Sequence, residues 1–158
     1  MPIHFHSQNI SFTLKNKKSA CRSKASASAG RELKVWLSKT VSSEKKSLGN
    51  LNFVFCSDNY LLQLNQTYLQ HNTYTDIITF DYSDKKISPS IISGDIFISI
   101  ERVKENAEKF QVPFLKELHR VMIHGVLHLM GYKDKTKKDK MLMREKEDFY
   151  LAWNWKEN

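Results

Sequence analysis

The sequence predicts a single α+β domain in which a small mixed sheet of about four strands packs against about five helices. Short segments rich in β-branched and aromatic residues predict the strands, and longer segments with apolar residues at helical spacing predict the helices. A chain of 158 residues suits one core, and neither an internal repeat nor a domain boundary is visible. We therefore expect residues 1–158 to form one domain.

The N-terminal half alternates between short strands and helices. Residues 3–6 and 10–14 are expected to be short strands, followed by a basic, poorly structured connection over residues 16–30, which are rich in Lys, Ser and Ala. A helix is predicted over residues 31–46, because apolar residues recur there at helical spacing. Its apolar positions are Leu33, Trp36, Leu37 and Val41. Residues 52–56 then form a buried strand.

The next helix should begin at Ser57 or Asp58, either of which can cap it, and should run to about residue 69. Residues 75–82 and 92–100 are predicted strands, and the loop between them contains Pro89. We expect Asp76 to be a turn or capping residue that positions its strand. The sequence leaves open whether Asp95 holds a strand edge or supports a functional group.

Helices dominate the C-terminal part. The first covers residues 101–110 and ends at Gln111 and Val112, and Pro113 opens the next at a position where its missing N–H costs little. The second helix should pack one apolar side on the sheet. That side carries Leu115, Leu118, Met122, Val126 and Leu129, whereas Glu117, Arg120, His124 and His128 lie roughly opposite. A final helix is predicted over residues 136–153, with Met143, Phe149, Leu151 and Trp153 among its apolar members.

The central helix and the turn after it carry a candidate metal site. His124 and His128 are four residues apart, so they share one helix face and both imidazoles can reach one ion. Gly131 can adopt the left-handed conformation that ends a helix, which brings Asp134 back as a third ligand. Three protein ligands with a fourth position open to water are typical of a catalytic zinc site. A histidine pair satisfied within the core is the alternative interpretation.

The motif differs from H-E-x-x-H, in which the residue after the first histidine is the glutamate that acts as general base. Here that position is Gly125, which cannot accept a proton, so an ordinary zinc-peptidase mechanism is disfavoured. Arg120 lies one turn before His124, and we expect it either to face a phosphate near the metal or to pair with Glu117 or another acid. We count His124, His128 and Arg120 as the candidate catalytic residues.

Residues 124–134 resemble the signature H-G-x-L-H-L-x-G-Y-D-H of the YbeY family of bacterial rRNA maturation endoribonucleases. Seven positions match in place, and the final D-H of the family is Lys133-Asp134 here. The resemblance extends to the segments beginning at Leu64, Thr75 and Gly94, which are similar to the family's L-N-x-x-Y-R, T-D-V-L-S-F and G-D-I-x-I-S. The family arginine proposed to act in RNA cleavage is Leu69 here.

The resemblance implies a zinc-dependent, single-strand-specific endoribonuclease of late-stage rRNA processing and ribosome quality control. Its substrate would be precursor 16S rRNA at the 3′ end, and its partner the small ribosomal subunit. The resemblance also implies one Zn²⁺ bound by His124, His128 and Asp134, with Asp134 in the position of the family's third histidine. Two other functions remain open, namely a zinc-dependent hydrolase of peptides or amides and a ribosome-assembly binding protein with a structural metal.

Charge and composition agree with a nucleic-acid partner. The net charge of +8 and the pI near 9.4 favour binding of polyanions, and lysines 133, 135, 137, 138 and 140 surround the candidate site. We expect an RNA rather than a DNA substrate. No apolar stretch is long enough for a bilayer, and the N-terminus lacks the order of a signal peptide, so we expect a cytoplasmic protein without membrane contact. Cys21 and Cys56 imply neither a disulfide framework nor a second metal site.

Overall fold

The computed structural model describes residues 10–14, 25–70 and 74–155. The predicted α+β class is confirmed, because these residues form a four-stranded mixed sheet and five helices. In chain order the elements are β1 (Ile10–Leu14), α1 (Ala25–Ser43), β2 (Ser47–Cys56), α2 (Asp58–Leu69), β3 (Ile77–Asp81), β4 (Ile91–Ser99), α3 (Ile100–Phe110), α4 (Phe114–Leu129) and α5 (Lys137–Leu151). None of the helices within these ranges is long and apolar enough to cross a membrane.

The strand order is β1-β2-β4-β3, with β1, β2 and β4 parallel and β3 antiparallel to β4. Asp95 joins three parts of this sheet on one face. Its Oδ1 accepts a hydrogen bond of 2.9 Å from Asn52 Nδ2 on β2, and its Oδ2 accepts one of 3.1 Å from Tyr82 OH beyond β3. The sequence left open whether Asp95 holds a strand edge or supports a functional group, and the structure shows the first of these roles.

The main hydrophobic core lies between one face of the sheet and four helices, α1, α3, α4 and α5. Phe53, Ile96, Met122 and Leu127 are fully buried there. A smaller cluster of Cys56, Leu61 and Ile78 lies where α2 covers the opposite face. Cys56 is a free thiol, and Cys21 lies outside the described residues. Helix α4 is thus held along its length by the sheet and its neighbouring helices.

Gly125 explains why α4 can lie so close to the sheet. A Cβ at this position would come within 2.9 Å of Ile77 Cδ1 and within 2.9 Å of Ile96 Cγ2. A side chain here would push the helix outward by repulsion. The glycine that replaces the glutamate of H-E-x-x-H therefore serves helix–sheet packing, and that face of α4 has no room for a general base.

Local capping accounts for the helix boundaries. The Ser57 and Ser99 side chains accept hydrogen bonds from the backbone N–H groups of Tyr60 and Arg102 and so cap α2 and α3. Gln111 ends α3 in the left-handed conformation, as the expected break requires. Thr136 opens α5 with a capping box that includes Asp139. The cap at Thr136 therefore fixes where α5 begins, whereas α4 begins after Pro113 without a side-chain cap.

Three expectations need correction. Helix α1 begins at Ala25 rather than at residue 31, so the last part of the connection expected over residues 16–30 is helical; alanine is the strongest helix former and outweighs the serines there. Leu115, expected on the side that packs on the sheet, is 54% exposed. Helical spacing gives the direction of a side chain but not whether another element covers it. Pro113 precedes the first helical residue instead of occupying it. The strand expected over residues 3–6 lies outside the described residues.

Candidate metal centre

Three side chains converge at the C-terminal end of α4. His124 Nε2 lies 3.0 Å from His128 Nε2, and Asp134 Oδ2 lies 3.4 Å from the first nitrogen and 3.3 Å from the second. Four ligands placed tetrahedrally about zinc at its usual bond lengths are separated from one another by about 3.3 Å. The triangle of donor atoms therefore fits a zinc ion, as the spacing of the two histidines predicts.

The other ring nitrogen of each histidine has a separate partner. His128 Nδ1 lies 3.0 Å from the backbone carbonyl oxygen of Tyr132. Because a carbonyl oxygen can only accept, Nδ1 carries the proton, which leaves the lone pair on Nε2. His124 Nδ1 lies 2.8 Å from Glu147 Oε2, an arrangement that orients the second ring in the same way. Both Nε2 atoms are thus directed at the same point.

The turn that carries Asp134 is fixed at its start. Gly131 has a φ of 105°, a backbone conformation that a side chain would strain, and this reverses the chain after α4 as expected. Tyr132 OH then donates a hydrogen bond of 3.0 Å to Glu44 Oε2 beyond the end of α1.

Glu44, which accepts this bond, stays ionised. Burial by itself would raise the pKa of Glu44, but the hydrogen bonds from Tyr150, Lys146 and Tyr132 outweigh burial, so the net shift of the pKa is downward.

Glu147 connects the metal ligands to Arg120. Its side chain is 8% exposed, and its Oε1 lies 3.2 Å from Arg120 Nη1 while Oε2 contacts His124. The same Nη1 lies 2.8 Å from Asp148 Oδ1. Of the two roles expected for Arg120, pairing with an acid is therefore present, although the partners are Glu147 and Asp148 rather than Glu117.

These groups line a cleft of about 340 Å³ between the start of β3 and the helices α3, α4 and α5. Besides His124, Asp134, Arg120 and Glu147, the lining residues are Asp76, Asn106, Phe110, Glu117, Val121 and Arg144. Burial is the main reason why the pKa values of Asp76 and Glu117 are raised. Burial lowers the pKa of His124, but the hydrogen bond with Glu147 and the charges of Glu147, Asp134 and Asp76 outweigh it, so the net shift is upward.

The structure places His124, His128, Arg120 and Asp134 in one site, as the sequence predicts. Asp76, expected at a turn, also lines the cleft, and its backbone oxygen accepts a hydrogen bond from Ser99 N–H. Leu69, which stands at the position of the family arginine, ends α2 at 45% exposure and is not part of the cleft lining.

Glu147 was missed from the sequence, although a signal for it exists. Met143, Glu147 and Tyr150 share the buried side of α5, and a carboxylate on the apolar side of a helix requires a partner. Asn106 and Phe110, which also line the cleft, could not be found in this way. An amide and an aromatic residue four positions apart on a helix are ordinary surface residues, so nothing in the sequence marks them.

A mixed sheet covered by helices, with two histidines and a carboxylate converging beside a polar cleft, fits the class of metal-dependent hydrolases. Comparisons with known proteins specify the family. The family model described as Endoribonuclease YbeY matches residues 12–153. Endoribonuclease YbeY of Flavobacterium psychrophilum is 60% identical over 113 residues, which cover 72% of this chain and 78% of that protein. The corresponding protein of Cytophaga hutchinsonii is 54% identical over 121 residues, covering 77% and 82%.

A solved structure has the same fold. The solution structure of TM1509 from Thermotoga maritima superposes with a TM-score of 0.64 at 28% identity, covering 92% of this chain and 89% of that one. The chain therefore belongs to the YbeY endoribonuclease family. The resemblance seen in the sequence motifs is confirmed over nearly the whole described fold.

Proposed function

We propose that the protein binds one Zn²⁺ through His124, His128 and Asp134 and cleaves single-stranded precursor 16S rRNA near its 3′ end. As a member of the YbeY family the chain is an endoribonuclease, a hydrolase of RNA phosphodiester bonds. The observation that carries the zinc proposal is the triangle of donor atoms at 3.0, 3.3 and 3.4 Å. We further propose a cytoplasmic role on the small ribosomal subunit in late maturation and quality control.

The residues of the chain have separate tasks in this reaction. When bound, zinc acidifies a water molecule and withdraws charge from a phosphoryl oxygen. His124 and His128 present their Nε2 atoms, and Asp134, whose side chain is 43% exposed, lies on the solvent side where substrate enters. Glu147 and the Tyr132 carbonyl keep the two rings in place before substrate arrives, so that no reorganisation is needed during the reaction.

Arg120 is the proposed phosphate contact inside the cleft. Both of its ion pairs use Nη1, so within the described parts of the chain Nε and Nη2 remain uncommitted. A guanidinium group held by two carboxylates on one side can still donate to a phosphate oxygen from its other edge. Arg120 would thereby supply part of the positive charge that Leu69 cannot provide at the family's arginine position.

Neither alternative function has a supporting observation. A zinc peptidase of the H-E-x-x-H type has its general base directly after the first histidine, and here that position is Gly125, where a side chain would press on Ile77 and Ile96 of the sheet. A purely structural zinc site normally has four protein ligands, whereas three donor atoms meet here within the residues that the structure describes.

The test is cleavage by the purified protein of a labelled single-stranded RNA that spans the mature 3′ end of 16S rRNA. We expect cleavage of this RNA, little cleavage of the matching duplex, loss with a chelator, and recovery with added zinc. Metal analysis by mass spectrometry should give about one zinc per chain. His128→Ala, which removes a ligand, is the control for a contaminating nuclease. Zinc-independent cleavage, or a preference for peptides, would contradict the proposal.

A further inference from the structure

The wall of the cleft formed by α3 is not used by the metal centre or by Arg120. It consists of Asn106 and Phe110, which are four residues apart and therefore on one face of the helix. Phe110 is 58% exposed although it lines the cleft, and Asn106 is half-buried. Within the described residues the Asn106 amide makes no hydrogen bond, so its donor and acceptor are available to a ligand.

The charges inside the cleft indicate which part of an RNA would contact this wall. Four carboxylates (Asp76, Glu117, Asp134 and Glu147) and two arginines (Arg120 and Arg144) line it. Because the carboxylates outnumber the arginines, the cleft interior has no excess of positive charge apart from a bound cation. It is therefore poorly suited to a row of phosphates. The exposed lysines between residues 133 and 140 lie outside this lining and suit the rest of the backbone.

A nucleobase matches the chemistry of the wall. Its ring can stack on an exposed aromatic side chain, and its edge can both donate to and accept from an amide. Lys109 Nζ lies over the Phe110 ring at 5.8 Å from its centre, which brings a cation close to the phosphate of a nucleotide bound at this wall. Asn106, Phe110 and Lys109 thus offer an amide, an aromatic ring and an ammonium group to one nucleotide.

We propose that Asn106 and Phe110 form a nucleobase-binding subsite that positions the scissile phosphodiester at the metal ligands. A base of the single-stranded RNA stacks on Phe110, and its edge bonds the Asn106 amide. Because a paired base cannot leave its duplex without losing stacking and pairing, the subsite also provides a reason for single-strand specificity. This inference rests on the proposed RNA cleavage and adds the residues that hold the nucleotide.

The experiment is a scan with abasic RNA. One base at a time is removed from the labelled single-stranded substrate, on both sides of the cleavage position, and kcat/KM is measured with the zinc-loaded full chain. We expect one position at which base removal lowers kcat/KM by about tenfold or more, the usual effect of removing one base–aromatic stack. Cleavage of the intact RNA by the wild type tests the proposed function separately.

Variants then connect that position to the wall. Phe110→Ala should lower kcat/KM on intact RNA by as much as base removal does in the wild type, and base removal should then cause no further loss. Phe110→Trp should restore both the kcat/KM on intact RNA and its dependence on that base. Asn106→Ala should give a smaller loss at the same position. Phe149→Ala is the matched control, because Phe149 is similarly exposed at 55% and lies on α5 outside the cleft lining.

Zinc content and thermal unfolding are measured for every variant, so that a folding defect is recognised. An additive loss when Phe110→Ala acts on the abasic RNA would overturn the proposal, as would equal effects of Phe110→Ala and Phe149→Ala. If Phe110→Ala cleaves naked RNA like the wild type and fails only on ribosomal particles, Phe110 contacts a protein partner and the subsite does not exist.

Discussion

Glu147 Oε2 lies 2.8 Å from His124 Nδ1, although the two residues belong to different helices. The contact joins a buried carboxylate of α5 to a metal ligand of α4, and the second oxygen of the same carboxylate binds Arg120. Carboxylates in this position fix the tautomer of a metal-binding histidine and increase its basicity. Glu147 therefore links the two halves of the cleft, the zinc ligands and the proposed phosphate contact.

Glu147→Gln should weaken zinc binding by about 10–100-fold, because an amide keeps the shape of the side chain but not the charge that orients His124. Competition with a coloured chelator measures the affinity directly, without relying on cleavage. Glu145→Gln is the matched control, since Glu145 is an exposed carboxylate on the same helix. Equal zinc affinity of the wild type and Glu147→Gln would show that the contact only stabilises the packing of α4 on α5.

Asp134 stands where the family pattern has its third histidine, and a carboxylate and an imidazole are both ordinary zinc ligands. We expect Asp134→His to retain one zinc per chain and Asp134→Ala to lose stoichiometric binding, as judged by metal analysis after dialysis. Asp139→Ala, which changes a nearby carboxylate that caps α5, is the control. Full zinc content in Asp134→Ala would mean that Asp134 does not bind the ion.

The sequence was sufficient for the parts of this site that lie close together along the chain. Histidines four apart on a helix share a face whatever surrounds them, and Gly131 ends that helix where expected. The sheet and helices followed from apolar spacing in the same way. The contact of Glu147 with His124 required knowledge of how α5 rotates about its axis against α4, which depends on packing in the whole core.

The partner of Arg120 illustrates the same limit. Glu117 lies one turn away on α4 and was the obvious candidate, yet Arg120 binds Glu147 and Asp148 of α5. Spacing within a helix gives neighbours on that helix only, and an interhelical ion pair depends on which side chains the packing brings together. The exposure of Leu115 is another example, because its position on the apolar side of α4 did not reveal which parts of that side the neighbouring elements cover.

Arg120→Ala should keep one zinc per chain but lower cleavage, because the cleft loses its proposed contact to a phosphate oxygen. It should also lower the free energy of unfolding by on the order of 2 kcal/mol, since the buried Glu147 loses its closest guanidinium. Urea unfolding and single-turnover cleavage separate the two effects.

Arg144→Ala is the control for the stability effect of Arg120→Ala. Arg144 approaches the same two acids at 3.8 Å, and its side chain is 63% exposed, so its removal should leave stability nearly unchanged. Lower stability of Arg120→Ala with unchanged cleavage at saturating zinc would limit Arg120 to a structural ion pair.

Lys133 and Lys135 flank Asp134 and are exposed, so they are placed to bind phosphates of the RNA. Replacing both by alanine should weaken binding of a single-stranded RNA and reduce the slope of log affinity against log salt by about 0.7 for each phosphate that is no longer neutralised. Zinc content should not change. Lys85→Ala with Lys86→Ala, in the loop between β3 and β4, is the control, and an equal effect of both double variants would indicate nonspecific charge attraction.

His119 should make the stability of the fold depend on pH at a position that the metal does not touch. Trp155 Nε1 donates a hydrogen bond of 2.9 Å to His119 Nδ1, so the imidazole must be neutral at this nitrogen. Burial lowers the pKa of His119 to about 4. In the unfolded chain it has a pKa of about 6.5, so between these values the unfolded chain binds a proton that the folded protein refuses.

Stability contributed by neutral His119 is therefore complete above pH 6.5 and is lost as the pH falls toward 4. Linkage gives a loss of about 2 kcal/mol between pH 7 and pH 5 from this group. His119→Gln, whose amide oxygen can still accept from Trp155, should lose correspondingly less over this range, as measured by urea unfolding with a chelator present so that zinc release does not contribute. If the wild type and His119→Gln lose the same free energy, His119 takes up its proton in the folded state, and the bond from Trp155 does not hold it neutral.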